Sequence, residues 1–233
     1  MHFNRIHRSS ERLLSTVHRG TAFEKRASSL LMEHMSMSLT RVGGSYDGGV
    51  DLIGWWWLPS GQPSTCADWS IANRRRLRIL AQCKAEKRKV GPAYLRELEG
   101  VVYKHVATAA LESPSSHIPQ ATISTPTEPP PVAVLVSESP FTRNCLLAAH
   151  TSLLPFLLVH LPPSGPGPLG AVFGNPALVS ERGLLRGELE IRWERDAAMA
   201  GNGRPGLWWQ GHPLPNWTPD SGVGTTPLIQ PSL

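Results

Sequence analysis

Asp51, Gln82 and Lys84 carry side chains that together could hydrolyse a phosphodiester. Asp51 opens the apolar run DLIGWWW, while Gln82 and Lys84 end the run LRILAQCK. Such hydrolysis needs oxygen ligands for a divalent metal, which neutralises charge on the phosphoryl oxygens, and a cation near the nucleophile. An acid at the opening of an apolar strand is costly to bury unless it is paired or bound to a metal, so Asp51 favours a site.

Two neighbouring strands are the elements that would position these three side chains. Residues 50–57 are mostly β-formers, and residues 77–84 have the same character after a loop that contains proline and glycine. Because side chains alternate along a strand, Gln82 and Lys84 point to the same face. A hairpin of the two strands would therefore bring Asp51, Gln82 and Lys84 together.

Helices and further strands are predicted on either side of this hairpin. Apolar residues at helical spacing predict an amphipathic helix over residues 21–38 and a second helix over residues 93–107. The run VAVLVS predicts a buried strand, PFTRNCLLAAHTSL a helix and PFLLVHL another strand. That order is typical of a parallel, right-handed crossover. The sequence therefore predicts an α/β fold, with its main domain over residues 21–161.

Proline-rich segments interrupt and follow this pattern. The chain has 233 residues, of which 22 are proline and 21 are glycine. Residues 113–131 contain six prolines and almost no charge, which is typical of a flexible insertion. Residues 162–233 show no clear periodicity and predict a partly irregular C-terminal extension, with Trp208, Trp209 and Trp217 exposed.

The first 20 residues form a basic segment with two interpretations. Four arginines stand among serines with a single acid, and several apolar residues could share one helical face: Arg5, Arg8, Arg12, Arg19 and the acid Glu11. This composition is typical of a mitochondrial transit peptide. A basic helix that contacts nucleic acid would look the same. We take the transit peptide as the leading interpretation, which predicts a mitochondrial protein.

Charge, cysteine content and hydropathy indicate the kind of partner and argue against a disulfide-rich or membrane-spanning protein. The net charge of +5 favours an anionic partner such as nucleic acid. Cys66, Cys83 and Cys145 are odd in number and widely spaced, so they offer neither a disulfide framework nor a zinc pattern. No apolar run approaches the roughly 18 residues of a membrane-spanning helix, so no membrane span is predicted.

The residues around the proposed site resemble a known family. DGGVDLIG, AQCK and RELEG, in this order, resemble the catalytic core of the Mrr-type restriction endonucleases of the PD-(D/E)xK nuclease superfamily, with glutamine in place of the usual acid. SPFTRNCLLAA and PFLLVHL are similar to that group's FT-containing helix and core strand. DGGVDLIGWWWLP, LAQCKAEKRKVGPAYLRELEGV and the basic N-terminus resemble more closely the fungal mitochondrial family required for respiratory growth protein 7.

The resemblance implies a fold and a set of ligands. The implied fold is a restriction endonuclease-like mixed β-sheet flanked by helices, with an α-β-β-β-α-β core. Asp51 would be the main ligand of Mg²⁺ or Mn²⁺, with Gln82 and the backbone carbonyl of Cys83 as further ligands. Lys84 would orient or deprotonate the attacking water. Glu24 resembles the helical glutamate of that group and would support catalysis.

Gln82 leaves the implied site one negative charge short. Glu24 or Asp47 is then the expected compensating acid for the metal. Asp47 also has a simpler interpretation, because Asp-Gly is a common turn pair and Gly48 and Gly49 permit positive φ.

Two basic runs lie near the strand that carries Gln82 and Lys84. A run of charge is usually a solvated face, but two runs beside an acidic pocket would also follow a phosphate backbone. We therefore expect nucleic acid contacts from Arg74, Arg75, Arg76, Lys87, Arg88 and Lys89.

Two functions follow from these expectations. The first is a mitochondrial, metal-dependent DNA endonuclease that serves respiratory growth or maintenance of the mitochondrial genome. The second is a nucleic-acid-binding protein of the same fold whose chemistry is weak or lost, since Gln82 replaces an acid. Two cuts in a duplex usually call for two sites, so a homodimer is also expected.

Overall fold

The structure, a computed structural model, describes residues 3–42, 48–60, 74–112, 129–163, 169–195 and 203–219, and the side chains of all of these except residues 3–16 and 110–112. Its elements are α1 (Phe3–Met35), β1 (Met37–Arg41), β2 (Leu52–Pro59), β3 (Arg74–Lys84), α2 (Pro92–Glu112), β4 (Val132–Ser137), α3 (Arg143–Thr151), β5 (Phe156–His160), β6 (Ala171–Gly174), α4 (Pro176–Val179), β7 (Leu189–Arg195), β8 (Gly203–Trp209) and β9 (His212–Pro213).

The main sheet is mixed and has six strands in the order β1-β2-β3-β4-β5-β6. β1, β2 and β3 pair antiparallel, β3, β4 and β5 pair parallel, and β6 pairs antiparallel with β5. The predicted parallel pairing of the strands on either side of α3 is confirmed. The α/β class with helices flanking a mixed sheet is also confirmed, and the chain order from α1 to β4 is α-β-β-β-α-β.

Helices cover the two faces of the sheet. α1 packs on one face through Phe23, Ala27 and Leu31, against the alternate residues of β2 and β3 that point that way. α2 and α3 cover the other face through Leu95, Leu98, Val102, Cys145 and Ala149. β4 is buried along its whole length because helices cover both of its faces.

The first helix and the strand after it differ from the prediction. α1 runs through the expected boundary at residue 20 and ends at Met35, so the helix predicted to reach residue 38 is too long. Ser36 has a φ of 57°, which ends the helix, and β1 begins at Met37. Met37 and Leu39 are buried on the α1 side. Their spacing continues the helical pattern of α1, so the sequence pattern does not distinguish β1 from a longer helix.

The C-terminal extension is more ordered than expected. β6 adds an edge strand to the main sheet, and β7, β8 and β9 form a second sheet. Leu189 and Leu207 join the core on the α1 side, as does Trp209, which is only 5% exposed. The expectation that Trp209 is exposed is wrong. The domain boundaries stay predictions, and residues 113–128 of the insertion lie outside the described part of the chain.

Within the described ranges, no helix combines the length and the apolar character needed to cross a membrane.

Candidate metal and phosphodiester site

Gln82 and Lys84 of β3 meet Glu97 of α2 on the side of the sheet that α2 covers. Nε2 of Gln82 donates a hydrogen bond to Oε1 of Glu97 across 3.2 Å, and Gln82 is only 2% exposed. Nζ of Lys84 lies 4.0 Å from Oε2 of Glu97 and 4.6 Å from the centre of the Tyr94 ring. The prediction that Gln82 and Lys84 share a face is therefore confirmed, and the ammonium group is held between a carboxylate and an aromatic ring.

Asp51 reaches the same strand from the end of the neighbouring one. It lies directly before β2, and its backbone N–H donates to the carbonyl of Ala81 across 2.9 Å. Its carboxylate oxygen Oδ2 accepts a 2.6 Å hydrogen bond from the backbone N–H of Cys83. Asp51 thus contacts the residues on both sides of Gln82. A bond from a backbone N–H to a carboxylate is charge-assisted, so it orients the acid firmly.

The two glycines before Asp51 allow the chain to close over this cluster. Gly48 and Gly49 have φ values of 63° and 91°, as expected for the turn. A Cβ on Gly49 would lie 3.6 Å from Nε2 of Gln82 and 3.8 Å from Oε1 of Glu97. The second glycine therefore lies directly against the Gln82 and Glu97 pair. Asp47, the alternative compensating acid, lies outside the described residues.

Glu24 has a different partner from the one that its predicted role requires. It is on α1, and its carboxylate pairs with Arg41 of β1, which also donates to Thr21. α1 covers the opposite face of the sheet from α2, and the predicted role of Glu24 as a supporting acid stays a prediction. Burial, then the charges of Asp51 and Glu24, raise the pKa of the Cys83 thiol.

Oxygen atoms dominate the cluster and fit a hard divalent cation. Oε1 of Gln82 is buried and accepts no hydrogen bond from the described residues. Glu97 accepts from the amide group of the same side chain, and the Asp51 carboxylate contacts the backbone of the next residue, Cys83. The orientation of the Gln82 amide follows from Glu97, because a carboxylate accepts hydrogen bonds and must therefore face the NH₂ group. The described residues hold no group of three His, Cys, Asp or Glu side chains arranged for a metal. The oxygen atoms that could bind a metal come from two carboxylates and one amide, and such donors fit Mg²⁺ better than a softer metal.

The sequence did not single out Glu97. Its neighbours Leu95 and Leu98 belong to the buried face of α2, so a glutamate between them lies at the border of that face. The motif RELEG contains it, but the motif alone does not tell which of its two acids faces the sheet. The helical spacing of α2, which shows which of its residues face β3, is the signal that could have identified Glu97.

The two basic runs lie at opposite ends of β3. Arg74 stacks on the Trp217 ring at 5.0 Å, and Arg75 pairs with Glu188 at 3.1 Å. Burial lowers the pKa of both arginines. These two residues hold the C-terminal segment, at the end of β3 about 30 Å from Lys84 by strand rise. The predicted contact of Arg74, Arg75 and Arg76 with nucleic acid stays a prediction.

The second basic run is closer to the site. Lys87, Arg88 and Lys89 begin three residues after Lys84 and are exposed. Their predicted contact with nucleic acid remains a prediction, as does the role of the Cys83 carbonyl as a ligand.

Comparisons with known proteins agree with the sequence pattern. The model of a family described as "Required for respiratory growth protein 7" matches residues 15–171. An uncharacterized mitochondrial protein of Schizosaccharomyces pombe is 38% identical over 88 residues, which span 37% of this chain and 30% of that protein. The chain therefore matches less than a third of the length of this relative. No solved structure matches.

Proposed function

Since this mitochondrial chain belongs to the required for respiratory growth protein 7 family, we propose that it is a metal-dependent phosphodiesterase that cuts DNA in the maintenance of the mitochondrial genome. The observation that supports this most is the buried amide oxygen of Gln82, which has no hydrogen-bond donor among the described residues. It lies on the strand that the Asp51 carboxylate contacts. A buried acceptor of this kind calls for a missing partner, and a cation between two carboxylates would be one.

The chain order also supports a restriction endonuclease-like fold of the PD-(D/E)xK type. An acid before one strand and QxK at the end of its antiparallel neighbour correspond to the order of that motif. In this proposal Glu97, from the helix after the motif strand, supplies the carboxylate that Gln82 lacks. Glu24 would then stabilise Arg41 rather than the metal.

Each residue has a distinct role in the proposed reaction. Asp51, Gln82 and Glu97 would hold Mg²⁺, which when bound neutralises charge on the phosphoryl oxygens and lowers the pKa of water. Lys84 would orient the attacking water or the scissile phosphate, because its ammonium group is fixed by Glu97 and by the Tyr94 ring. Tyr94 is itself fixed by donating its hydroxyl to Glu86.

A cleavage assay tests this function. Plasmid, single-stranded and methylated DNA are incubated with Mg²⁺ or Mn²⁺ and the purified full chain. We expect cleavage by the wild type and its loss in Lys84→Ala and Glu97→Gln. Lys104→Ala is the matched control, because Lys104 is an exposed lysine further along α2. The proposal fails if the wild type cuts nothing, or if Lys84→Ala cuts as well as Lys104→Ala.

A second function has one observation in its favour. The amide of Gln82 donates a hydrogen bond to Oε1 of Glu97, so these two side chains satisfy each other without a metal. Two acids at these positions would repel each other instead. A protein that binds nucleic acid without cutting it would keep this pair permanently. Binding of DNA without cleavage under any of the metal conditions would establish this alternative.

A further inference from the structure

The three consecutive tryptophans of β2 have three different environments. Trp56 is fully buried on the α1 side. Trp57 points to the other face, where its indole N–H donates to Oγ of Ser38 across 2.7 Å and Trp217 packs edge-on at 5.7 Å. Trp55 shares that face but is only half-buried. It is therefore the aromatic ring of this run that remains accessible.

Trp55 lies beyond the part of the sheet that α2 and α3 cover. The apolar cluster beneath those helices extends along β3 to Leu80 and reaches Ile53 on β2. The next residues outward on the same face are Trp55, Arg76 and Arg78, since side chains alternate along each strand. We call these three residues the arginine–tryptophan face.

The two arginines of this face stack on the single indole ring. Cζ of Arg76 lies 4.3 Å from the centre of the Trp55 ring, and Cζ of Arg78 lies 4.9 Å from it. No carboxylate of the described residues pairs with either guanidinium. A guanidinium stacked on an indole keeps its N–H groups directed outward in one plane, so it can bind a phosphate without first being ordered.

A similar stack on the other sheet has a different balance of charge. Arg192 lies 4.1 Å from the Trp208 ring, but it also pairs with Glu190 at 2.7 Å. That arginine is neutralised locally. The arginine–tryptophan face keeps its positive charge, so it is complementary to an anion.

The face lies on the same side of the sheet as the proposed site. Arg76, Arg78, Gln82 and Lys84 all point to the same side of β3 because they are separated by even numbers of residues. Arg78 and Lys84 are about 20 Å apart along the strand by its rise per residue. Leu80 lies between them, fully buried beneath α2 and α3, so the covered part of the sheet separates the arginines from the cluster around Gln82.

We propose that the arginine–tryptophan face binds a single strand of nucleic acid. This inference rests on the proposed function for the class of ligand, but binding does not require chemistry. Unpaired bases would stack on the indole and guanidinium planes while phosphates bind the outward N–H groups. A duplex hides the faces of its bases, so it would gain the phosphate contacts alone.

Binding in the presence of EDTA tests the proposal, because it removes cleavage from the measurement. Labelled oligothymidylate, oligouridylate and a DNA duplex of equal length are titrated with the full chain, and Kd is measured by fluorescence anisotropy at several salt concentrations. We expect Kd for a single strand to be about ten-fold or more below that of the duplex, from stacking of the bases. Comparison of Kd for oligothymidylate and oligouridylate shows whether the face prefers DNA or RNA.

Substitutions locate the binding surface. The Arg76→Ala, Arg78→Ala pair should raise Kd at least about ten-fold and lower the salt slope by about 1.4, since each lost phosphate contact contributes about 0.7 on a single strand. Trp55→Leu should raise Kd with little change in the salt slope. Arg192→Ala, which removes a stacked arginine that a carboxylate neutralises, should bind like the wild type. If the alanine pair unfolds in a thermal melt, the Arg76→Gln, Arg78→Gln pair replaces it.

The results separate this inference from the proposed function. Glu97→Gln should lose cleavage in Mg²⁺ and keep its Kd in EDTA. If no variant cuts but the arginine pair weakens binding, the function fails and the binding face stands. If the arginine pair binds like the wild type, or the duplex binds as tightly as a single strand, the inference is overturned whatever the cleavage assay gives.

Discussion

The side-chain amide of Gln82 donates its hydrogen bond to Oε1 of Glu97, and this contact leaves Oε1 of Gln82 buried without a partner among the described residues. This hydrogen bond joins β3 to α2 at position 82, where the resembled nuclease motif has an acid. Gln82 does not neutralise the charge of Glu97, but it stabilises that carboxylate by donating a hydrogen bond. The pair therefore keeps one acid in place where two adjacent acids would repel each other.

Gln82→Glu should convert this hydrogen bond into a repulsive pair. In EDTA we expect the free energy of unfolding to fall by about 2 kcal/mol, because the hydrogen bond from residue 82 to a charged group is lost and a charge is added at a buried position. Mg²⁺ should restore stability, since a ligand at 100 times its Kd contributes about 2.7 kcal/mol. Thermal melts with and without Mg²⁺ measure both effects. A Mg²⁺-dependent shift no larger than that of the wild type would contradict the metal assignment.

Asp51 has a structural role and a proposed chemical role that two substitutions can separate. Asp51→Asn keeps an oxygen that can accept from the Cys83 N–H, so its free energy of unfolding should stay within about 1 kcal/mol of the wild type. Asp51→Ala leaves that N–H without its acceptor and should lower stability by about 1–3 kcal/mol. Both variants should lose cleavage. Urea unfolding and the plasmid assay together provide the test, and an active Asp51→Asn would show that the charge is not needed.

Asn175 is a buried polar residue that joins the end of β6 to β5 and α3. Its Oδ1 accepts from the backbone N–H groups of Phe156 and Leu178, and its Nδ2 donates to the carbonyls of Ala149 and Leu154. The residue is fully buried. Asn175→Ala should lower the free energy of unfolding by at least about 3 kcal/mol, because several buried groups lose their partner at once. Urea unfolding followed by circular dichroism measures the loss.

Asn216→Ala is the matched control for that measurement. Asn216 accepts from the backbone N–H of Ser36 across 2.8 Å but is itself exposed. Its removal should lower stability by about 1 kcal/mol. Equal losses in the two variants would mean that burial of Asn175 does not make its hydrogen bonds more important.

The strands and residues of the candidate site were predictable because their signals are local. The apolar runs that became β2, β3, β4 and β5 are short, rich in β-formers and bounded by proline, glycine or charge. The alternation of side chains then fixed the common face of Gln82 and Lys84. Asp51 was identified by the cost of an acid next to an apolar strand, which requires no knowledge of tertiary contacts.

The remaining features depend on contacts between distant segments. Glu97 becomes part of the cluster only because α2 returns over β3. Met37 and Leu39 fit a helical spacing as well as a strand, and the positive φ of Ser36 decides between them. Arg75 looked like a phosphate contact, but its pair with Glu188 ties it to the second sheet. A single sequence shows none of these partners.

His160 should make the stability of the protein depend on pH. It ends β5 and is half-buried beside Gly170, where an added Cβ would lie 2.6 Å from its Nδ1. Burial lowers the pKa of His160 below its ordinary value of 6.5, and a backbone hydrogen bond with Glu138 opposes the shift in part. The unfolded chain then binds a proton at a higher pH than the folded chain. The contribution is therefore fully present above pH 6.5 and is lost as the pH falls through the folded pKa.

Urea unfolding between about pH 8 and pH 5 measures this dependence for the wild type and for His160→Gln. The substitution removes the group that must stay neutral, so the stability of His160→Gln should fall less steeply below pH 6.5 than that of the wild type. His150→Gln, which changes an exposed histidine on α3, should keep the steepness of the wild type. If His160→Gln loses stability with pH as steeply as His150→Gln does, the dependence arises from other groups, because the proton on His160 would then be bound equally in the folded and unfolded states.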